Sequence, residues 1–449
     1  MSFSEVPRIR ETPPGPKSKE LMELRNKYVP KSVHHITPIF IEFGDGAILK
    51  DVDGNIYVDF ASGISCLNFG HRNFEILSAI KEQLKKYMHL CFHVTPYESY
   101  IKLAEKIALI TPGKFSKKVL LVNSGAEAVE NAVKVARWFT KKPGIIAFEN
   151  AFHGRTFMAL TLTGSVMPYK YGFGPLMPNV YRFPYAYCYR CPFKLEYPSC
   201  GIECIEYIRN ALKTSISSDD IASIIFEPIQ GEGGFIIGPK EFIQGLRKIC
   251  DEYGILLIDD EIQTGMGRTG KMFCIEHNDV IPDVITMGKS LGGGLPLAAT
   301  IGRDDIMDAP QVGGLGGTFC GNPVSCVAGL KAIELIEKLL PNVPKLGEIA
   351  LKRLKEMQEK YEIIGDVRGL GLMLAIELVE DRKTKKPAIE KRNEIITECY
   401  KNGLIIIGAG TYKNVIRLLP PLNISEELLN KGLDILDKVI KYETNNPKS

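Results

Sequence analysis

The chain has 449 residues, of which 45% are hydrophobic and 24% charged, a composition that excludes disorder as the main state. Its 56 Lys and Arg residues nearly balance 53 Asp and Glu residues, so a net charge of +3 argues against nucleic acid or an anionic membrane as a partner. No apolar run approaches the roughly 18 residues that span a bilayer, and the polar, proline-rich start lacks the apolar stretch of a secretory signal. We therefore expect a cytoplasmic protein that binds small molecules.

Alternating strands and helices predict an α/β fold. Residues 46–60 favour a hairpin, because Asp53-Gly54 lies between two runs that alternate toward apolar residues. From Lys117 onward, KVLLVN predicts a strand and GIIAFEN the next strand. Between them, GAEAVENAVKVARWFT predicts a helix with Val129, Val133 and Ala136 on one face. The pattern continues through IASIIFEPI, the helix PKEFIQGLRKICDEYG, ILLIDDE, DVITMGK and AATIGR. This alternation predicts a mainly parallel sheet covered by helices.

The C-terminal third is predicted to form a smaller α+β domain. After Asn322-Pro323 come two helices, one strand in GLGLMLAIELV, another helix, the segment VIRLLPPLNI and a last helix that Ser425 caps. We divide the chain into an N-terminal arm with a β segment of the small domain at 1–69, a large domain at 70–325 that includes a cysteine-containing insert at 185–205, and the C-terminal small domain at 326–449.

The string GMGRTG at residues 265–270 matches G-x-G-x-x-G, the dinucleotide-binding fingerprint. That fingerprint needs its first glycine to close a strand and its last to open a helix. Here EIQT follows the strand and KMFCIEH follows the glycines, so we interpret the string as a glycine-rich turn.

Ionisable residues follow two of the predicted strands, at the sheet edge where ligands of α/β proteins bind. Lys289 ends DVITMGK, and a desolvated lysine amine can form a Schiff base with an aldehyde; the alternative is a solvated loop lysine. Asp260 and Glu261 close ILLIDDE, where a buried carboxylate needs a partner such as a protonated pyridine nitrogen; the alternative is a helix or turn cap.

The string NSGAEA lies between a strand and a helix start. It places Ser124, Gly125 and Ala126 where free N–H groups and the helix dipole favour phosphate. Alone, this motif has little specificity.

Seven ordered motifs resemble those of the class III, fold-type I, pyridoxal-phosphate-dependent aminotransferases over roughly residues 40 to 440. They are NSGAEAVENAVKVAR, AFHGRT, FEPIQGEGG, LLIDDEIQTGMGRTG, DVITMGKSLGGGLP, GGTFCGNP and DVRGLGLMLAIEL. The resemblance implies pyridoxal 5'-phosphate (PLP) as cofactor, an amino donor and a 2-oxo acid as substrates, and a homodimer or a dimer of dimers. It also implies a large domain with a mainly parallel, seven-stranded sheet beside a small α+β domain.

The resemblance assigns roles to residues of the cofactor site. Lys289 would form the Schiff base and later move the proton, while Asp260 would keep the pyridine nitrogen protonated so that the ring accepts electrons. The remaining contacts that it implies are Phe152 and Ile262 on opposite ring faces, Gln263 near the phenolic oxygen, His153 beside the ring, Ser124, Gly125 and Ala126 at the phosphate, and Thr318 at the phosphate of the neighbouring subunit.

Four positions indicate the substrate. Arginine binds carboxylates bidentately. By resemblance, Arg155 would bind the distal carboxylate of 4-aminobutyrate, and Arg417 the α-carboxylate of glutamate. Glu232 would neutralise Arg417 when an ω-amine enters, and Ile64 matches the 4-aminobutyrate enzymes. By position alone, each arginine could equally form a surface salt bridge. The set favours 4-aminobutyrate with 2-oxoglutarate.

Other activities of the same family stay open. Acetylornithine aminotransferases also carry the HGRT string, ornithine aminotransferases are a further alternative, and racemases or epimerases use the same lysine. A third alternative is a non-catalytic protein with a structural or metal-binding role. We disfavour it because it does not explain Lys289 and Asp260.

A cysteine-rich insert departs from the common family pattern. Cys188, Cys191, Cys200 and Cys204 have C-x2-C-x8-C-x3-C spacing, which allows a zinc or iron–sulfur site, a pair of disulfides or reduced thiols. We expect a role in stability and assign no metal ligand in the catalytic site. Cys320, beside Thr318, is predicted to be a packing residue.

Overall fold

The computed structural model describes residues 5–445. By their internal packing these residues divide into two compact units: 74–340 form the large unit, and 5–73 with 341–445 form the small unit. No helix within 5–445 is long and apolar enough to cross a membrane.

Helices occur in both units. They are α1 (Pro16–Tyr28), α2 (Ser62–Ser65), α3 (Phe74–Leu84), α4 (Glu98–Ile110), α5 (Gly125–Thr140), α6 (Phe157–Leu162), α7 (Glu203–Thr214), α8 (Lys240–Tyr253), α9 (Asp304–Met307), α10 (Pro323–Leu339), α11 (Val343–Lys360), α12 (Ile389–Lys401) and α13 (Glu426–Asn445).

Strands also occur in both units. They are β1 (Ile41–Asp45), β2 (Ile48–Asp51), β3 (Ile56–Asp59), β4 (Lys117–Val122), β5 (Gly144–Phe148), β6 (Val180–Phe183), β7 (Ile221–Phe226), β8 (Ile229–Gln230), β9 (Ile236–Ile237), β10 (Leu256–Asp260), β11 (Val284–Met287), β12 (Ala298–Arg303), β13 (Ile364–Leu370), β14 (Met373–Asp381), β15 (Lys386–Pro387), β16 (Leu404–Ile405), β17 (Ile407–Ala409) and β18 (Val415–Leu418).

The large unit is built around a seven-stranded sheet with strand order β4-β12-β11-β10-β7-β5-β6. Only β12 runs antiparallel to its neighbours in this sheet, whereas β11, β10, β7, β5 and β6 pair in parallel. The predicted mainly parallel α/β sheet is therefore confirmed. In such a sheet the carboxyl ends of the parallel strands meet at one edge.

Apolar burial on both faces explains the continuous hydrophobic strands. Every residue of β7 is buried, and so is every residue of β10 and β11. Helix α5 covers one face and buries Val129, Val133 and Ala136, the stripe that its sequence predicted. The sheet is thus a rigid support for the loops that leave its carboxyl edge.

The small unit contains two sheets, with orders β1-β2-β3-β16 and β13-β14-β18-β17. The predicted hairpin is confirmed, because β2 and β3 pair antiparallel and Gly54 has a φ of +88° in the turn. The Asp51 carboxylate accepts hydrogen bonds from Asp53 N and Tyr57 Oη, which fixes this turn. Ser425 Oγ accepts from Leu428 N and caps α13 as predicted.

One strand prediction was wrong. The run GLGLMLAIELV, interpreted as a single strand, contains the end of β13, a turn and the start of β14, which pair antiparallel. Gly371 turns the chain with a φ of +57°, while Leu372 beside it is fully buried. Because the turn residues are themselves apolar, periodicity could not reveal the reversal.

The four cysteines of the insert converge on one small cavity of about 20 Å3. Cys188 begins a single 3-10 turn, and Cys204 lies in the first turn of α7. All four are free thiols, and no three His, Cys, Asp or Glu side chains within 5–445 are arranged to hold a metal ion. Burial, with the neighbouring thiols, raises the pKa of Cys188, and it raises that of Cys204 to about 12.

Candidate active site

A cavity of about 400 Å3 opens in the large unit, among the loops that follow β4, β5, β7, β10 and β11. Its volume suits a small molecule of cofactor size. It is lined by Gly125, Ala126, Phe152, His153, Gly154, Arg155, Thr156, Glu227, Asp260, Ile262, Gln263 and Lys289. The structure thus brings nine of the predicted site residues together at the sheet edge where sequence reasoning placed Lys289 and Asp260.

Lys289 follows β11 after Gly288 and begins a 3-10 turn that ends at Gly292. Its φ of +49° is uncommon for a residue with a side chain and costs of order 1 kcal/mol or more. The neighbouring Ser290 and Leu291 are buried and hold this turn against the unit. The fold therefore fixes the lysine backbone in a strained conformation at the cavity.

Asp260 ends β10 and is 3% exposed. Its Oδ2 lies 2.6 Å from His153 Nδ1, and its Oδ1 accepts hydrogen bonds from Thr286 Oγ1 at 3.1 Å and Ile262 N at 3.2 Å. The parallel register pairs Asp260 with Thr286 on β11, which explains why the hydroxyl is in place. These contacts aim a buried carboxylate at the cavity.

The start of α5 forms another wall. Ser124 caps this helix by accepting a hydrogen bond from Glu127 N, and Gly125 and Ala126 follow as its first residues. A Cβ added to Gly125 would lie 2.7 Å from Ile262 Cδ1, so a side chain there would press on the cavity wall. The bare helix start leaves backbone N–H groups available to an anion.

Aromatic rings hold Arg155 at the cavity. Its guanidinium carbon lies 5.3 Å from the ring centroid of Phe152 and 5.2 Å from that of Tyr169, and the two rings are 5.0 Å apart. Stacking of this kind restrains a guanidinium without using its N–H donors. Arg155 can therefore bind a carboxylate. Sequence reasoning did not identify Tyr169.

Glu227 is the functional residue that sequence reasoning most clearly missed. It directly follows β7, is 5% exposed and lines the cavity. Burial raises the pKa of Glu227 to about 7; His153 opposes that rise and Asp260 adds to it. The signal was present, since FEPIQGEGG places this glutamate after a buried strand, as LLIDDE places Asp260.

Two further carboxyl groups lie beside Asp260 on or next to β10. Asp259 is fully buried and Glu261 is 1% exposed. Burial, with the charge of Glu261, holds the pKa of Asp259 well above its ordinary value, and burial raises that of Glu261 to about 7. Thr264 Oγ1 and Ile275 N donate hydrogen bonds to Glu261.

The other predicted residues are placed as follows. Ser124 and Thr318 are exposed, and Glu232 is half-buried in the loop between β8 and β9. In the small unit, Ile64 is 40% exposed, and Arg417 is buried in β18 with its Nη2 donating to Gly408 O at 3.2 Å. Their predicted contacts with cofactor or substrate stay predictions.

The residues at the cavity fit PLP, the cofactor that the sequence resemblance implies. The bare start of α5 suits a phosphate, the buried Asp260 suits a protonated ring nitrogen, and Lys289 supplies an amine for an aldehyde. Among residues 5–445, His153 Nε2 is buried without a hydrogen-bond partner, so it is available to a group that fills the cavity.

Comparison with known proteins identifies the family. Residues 28–440 match the family described as Aminotransferase class-III. The chain is 43% identical to the 4-aminobutyrate aminotransferase of Mycobacterium leprae, over 95% of this chain and 96% of the relative. It is 47% identical to the 5-aminovalerate aminotransferase of Pseudomonas aeruginosa, over 93% and 97%.

A solved structure shares the fold. Taurine:2-oxoglutarate aminotransferase from Bifidobacterium kashiwanohense, solved in complex with PLP and glutamate, superposes with a TM-score of 0.88 at 29% identity, covering 96% of this chain and 98% of that one. Together with the cavity geometry, these matches show that the chain belongs to the class III aminotransferases, which are PLP-dependent enzymes.

Proposed function

We propose that the enzyme transfers the terminal amino group of an ω-amino acid, with 4-aminobutyrate as the preferred donor, to 2-oxoglutarate. The products are then succinate semialdehyde and L-glutamate. The observation that carries this proposal is Arg155, a cation held by two aromatic rings at the cavity, where it suits the distal carboxylate of an ω-amino acid. The names of the two relatives described above denote enzymes that act on unbranched ω-amino acids, and they support it.

We assign the cofactor contacts as follows. When bound, PLP supplies an aldehyde that captures the donor amine and a protonated ring that accepts electrons. Asp260 keeps the ring nitrogen protonated, since a buried carboxylate favours a cationic partner. The N–H groups of Gly125 and Ala126 bind the phosphate at the start of α5. Phe152 and Ile262 would hold the ring between them, and Gln263 would bind near the phenolic oxygen.

Lys289 is the proposed proton carrier. Its Nζ takes the proton from the amine-bearing carbon of the donor, and it delivers a proton to the corresponding carbon when the oxo acid is aminated. The 3-10 turn at Lys289–Gly292 fixes the backbone of this lysine, so the amine moves through side-chain rotation alone. One base thus serves both half-reactions.

We propose that four residues determine how the enzyme distinguishes its two donors, 4-aminobutyrate and glutamate. Arg155 binds the distal carboxylate of 4-aminobutyrate and of 2-oxoglutarate, while Arg417 binds the α-carboxylate of glutamate. Glu232 pairs with Arg417 when the donor has no α-carboxylate, and Ile64 contacts the aliphatic chain of the substrate. Without Glu232, Arg417 would favour α-amino acids. We therefore propose that Glu232 acts as a switch between the two donors.

We also propose a homodimer in the cytoplasm. Thr318 is exposed in its own subunit, and its neighbours Val312 and Phe319 are large exposed apolar residues, as at a surface that a second copy covers. Thr318 would then reach the cofactor phosphate of that copy. The eleven cysteines, an odd number scattered along the chain, are unlike the dense, even framework of a small secreted domain and support a reducing compartment.

Product formation tests the proposed function. The purified holoenzyme is incubated with 2-oxoglutarate and either 4-aminobutyrate, 5-aminovalerate, ornithine or acetylornithine, and glutamate release is followed. We expect the largest kcat/KM for 4-aminobutyrate. A larger kcat/KM for ornithine or acetylornithine would contradict the donor assignment, and a racemised amino acid without glutamate would contradict transamination.

A further inference from the structure

Glu227 connects two loops that the proposed function treats as separate. The first, the Phe152 loop, comprises residues 149–156 after β5 and carries Phe152, His153 and Arg155. The second, the Glu232 loop, comprises residues 231–235 between β8 and β9. Glu227 Oε1 accepts a hydrogen bond from Phe152 N at 2.8 Å, and its Oε2 accepts one from Gly231 N at 2.9 Å.

Independent contacts show that the two loops are closely apposed. Gln230 Nε2 donates a hydrogen bond to Glu149 O at 2.7 Å, at the bases of the loops. A Cβ added to Gly233 would lie 2.8 Å from Asn150 O, so the backbones approach as closely as glycine allows. The carboxylate of Glu227 thus lies where the Phe152 loop and the Glu232 loop are tightly packed against each other.

An ionised carboxylate suits this junction because it has acceptors only. Each carboxylate oxygen can accept a hydrogen bond from one of the two backbone N–H groups. A carboxamide or a protonated carboxyl instead has a donor in place of one carboxylate oxygen, and this donor faces one of the N–H groups. The carboxyl is nine-tenths or more buried, so a mismatched donor pair there costs about 1–3 kcal/mol. The two loops keep their relative position only while both N–H groups have an acceptor.

We propose that Glu227 is a positioning residue that fixes the Glu232 loop relative to the Phe152 loop, and thereby sets how well the enzyme distinguishes an ω-amine from glutamate. The inference rests on the proposed function, because the Glu232 loop carries the switch. When the link is intact, Glu232 keeps the place that its proposed role as a cover for Arg417 requires. When it is lost, the ω-amine half-reaction suffers more than the glutamate half-reaction, which does not need that cover.

Protonation of Glu227 should have the same effect as losing the link. Its pKa is raised to about 7 by burial, His153 lowers it, and the charge of Asp260 raises it. Tyr185 lies on the other side, with its hydroxyl donating to the backbone carbonyl of Glu227 at 3.2 Å, and Lys289 lines the same cavity. Below about pH 7 the carboxyl is protonated, so one of the two N–H groups faces a hydroxyl oxygen, which is a weaker acceptor than a carboxylate oxygen.

The test compares Glu227→Gln with the wild-type holoenzyme in single-turnover half-reactions. Asp283→Asn is the matched control, because Asp283 is also buried and accepts a backbone hydrogen bond, from Leu257 N at 2.8 Å, but lies at the amino end of β11. We expect Glu227→Gln to slow the 4-aminobutyrate half-reaction about tenfold more than the glutamate half-reaction. Asp283→Asn should leave the ratio of the two rates unchanged.

The pH profile supplies a readout that a purely structural role would not change. In the wild type, the ratio of the 4-aminobutyrate rate to the glutamate rate should rise as the pH passes upward through about 7; in Glu227→Gln it should stay low and flat. Equal losses in both half-reactions, or a Glu227→Gln profile that rises as in the wild type, would overturn the proposal.

Hydrogen–deuterium exchange of the cofactor-free proteins separates this inference from the proposed function. At about pH 8, where Glu227 is ionised, the peptides that contain Phe152 and Gly231 should exchange faster in Glu227→Gln than in the wild type or in Asp283→Asn. Unchanged exchange in both peptides would overturn the link itself. Failure of the wild type to react with 4-aminobutyrate would instead overturn the proposed donor.

Discussion

His153 Nδ1 lies 2.6 Å from Asp260 Oδ2, and both side chains are buried and line the cavity. This contact orients the carboxylate oxygen that Thr286 and Ile262 leave unoccupied. Replacing His153 by Leu should therefore weaken PLP binding about tenfold to a hundredfold, the range for a hydrogen bond to a charged group. Titration of the cofactor-free enzyme with PLP, followed by absorbance, measures the affinity.

Two control variants belong to that experiment. His153→Asn keeps a polar atom near the position of Nδ1 and should recover part of the affinity. His277→Leu removes a half-buried histidine that contacts Thr269, so it should leave PLP binding unchanged. Wild-type affinity in His153→Leu would show that the histidine does not position Asp260.

Gly125 should be intolerant of even a methyl group. In Gly125→Ala the new Cβ would press on Ile262 Cδ1, and overpacking of this kind typically costs about 1–3 kcal/mol. We expect PLP affinity to fall about tenfold, measured by the same titration. The double variant Gly125→Ala/Ile262→Val removes Cδ1, the Ile262 atom nearest to the new Cβ, and should restore part of the binding. If the single variant bound PLP normally, the helix start would not be part of the cofactor site.

Arg155 should distinguish substrates by their distal carboxylate. Arg155→Met keeps a side chain that can pack on Phe152 and Tyr169 but removes the charge. Loss of a charge-assisted hydrogen bond predicts that kcat/KM for 4-aminobutyrate falls by about a hundredfold. An amine without a distal carboxylate, such as L-alanine, should be unaffected, and steady-state kinetics with both donors measure the difference. Equal losses with both would contradict the role.

The acidic pair next to Asp260 should make stability depend on pH. Burial raises the pKa values of Asp259 and Glu261 in the folded protein. The stability that depends on their protonated forms is therefore present at low pH, and it is lost as the pH rises through these raised pKa values. Asp259→Asn removes one charge and supplies a donor to Glu261. The melting temperature of Asp259→Asn minus that of the wild type should increase by about 2 °C or more when the pH is raised from about 5 to about 8.

The exposed Asp219 provides the control for that measurement. Asp219→Asn should show no such trend, because its carboxylate is solvated in the folded protein. A melting temperature of Asp259→Asn that follows the wild type at every pH would mean that folding does not raise the pKa of Asp259.

The sequence was sufficient to predict the sheet edge and the residues on it. Asp260 ends one buried parallel strand and Lys289 follows the next, so the geometry of parallel pairing alone brings them to one cavity. The stripe on α5 and the turn at Gly54 were predictable because periodicity and turn chemistry are local properties.

Contacts made by loop backbones were not predictable in this way. The two N–H groups that reach Glu227 depend on the paths of loops after β5 and β8, which carry no periodic signal. The turn at Gly371 was hidden for a related reason, since its flanking residues are apolar and continue the strand pattern. Long-range pairing and loop path decide such features.

The central claim, ω-amino transfer, is tested most directly by the absorbance of the holoenzyme when 4-aminobutyrate is added without any oxo acid. We predict conversion of the cofactor from its aldehyde form to its amine form in the wild type and no conversion in Lys289→Ala. L-Alanine, tested alone, should react poorly. If 4-aminobutyrate left the spectrum unchanged while the enzyme turned L-alanine into its D-enantiomer, the account would be contradicted and the protein would be a racemase.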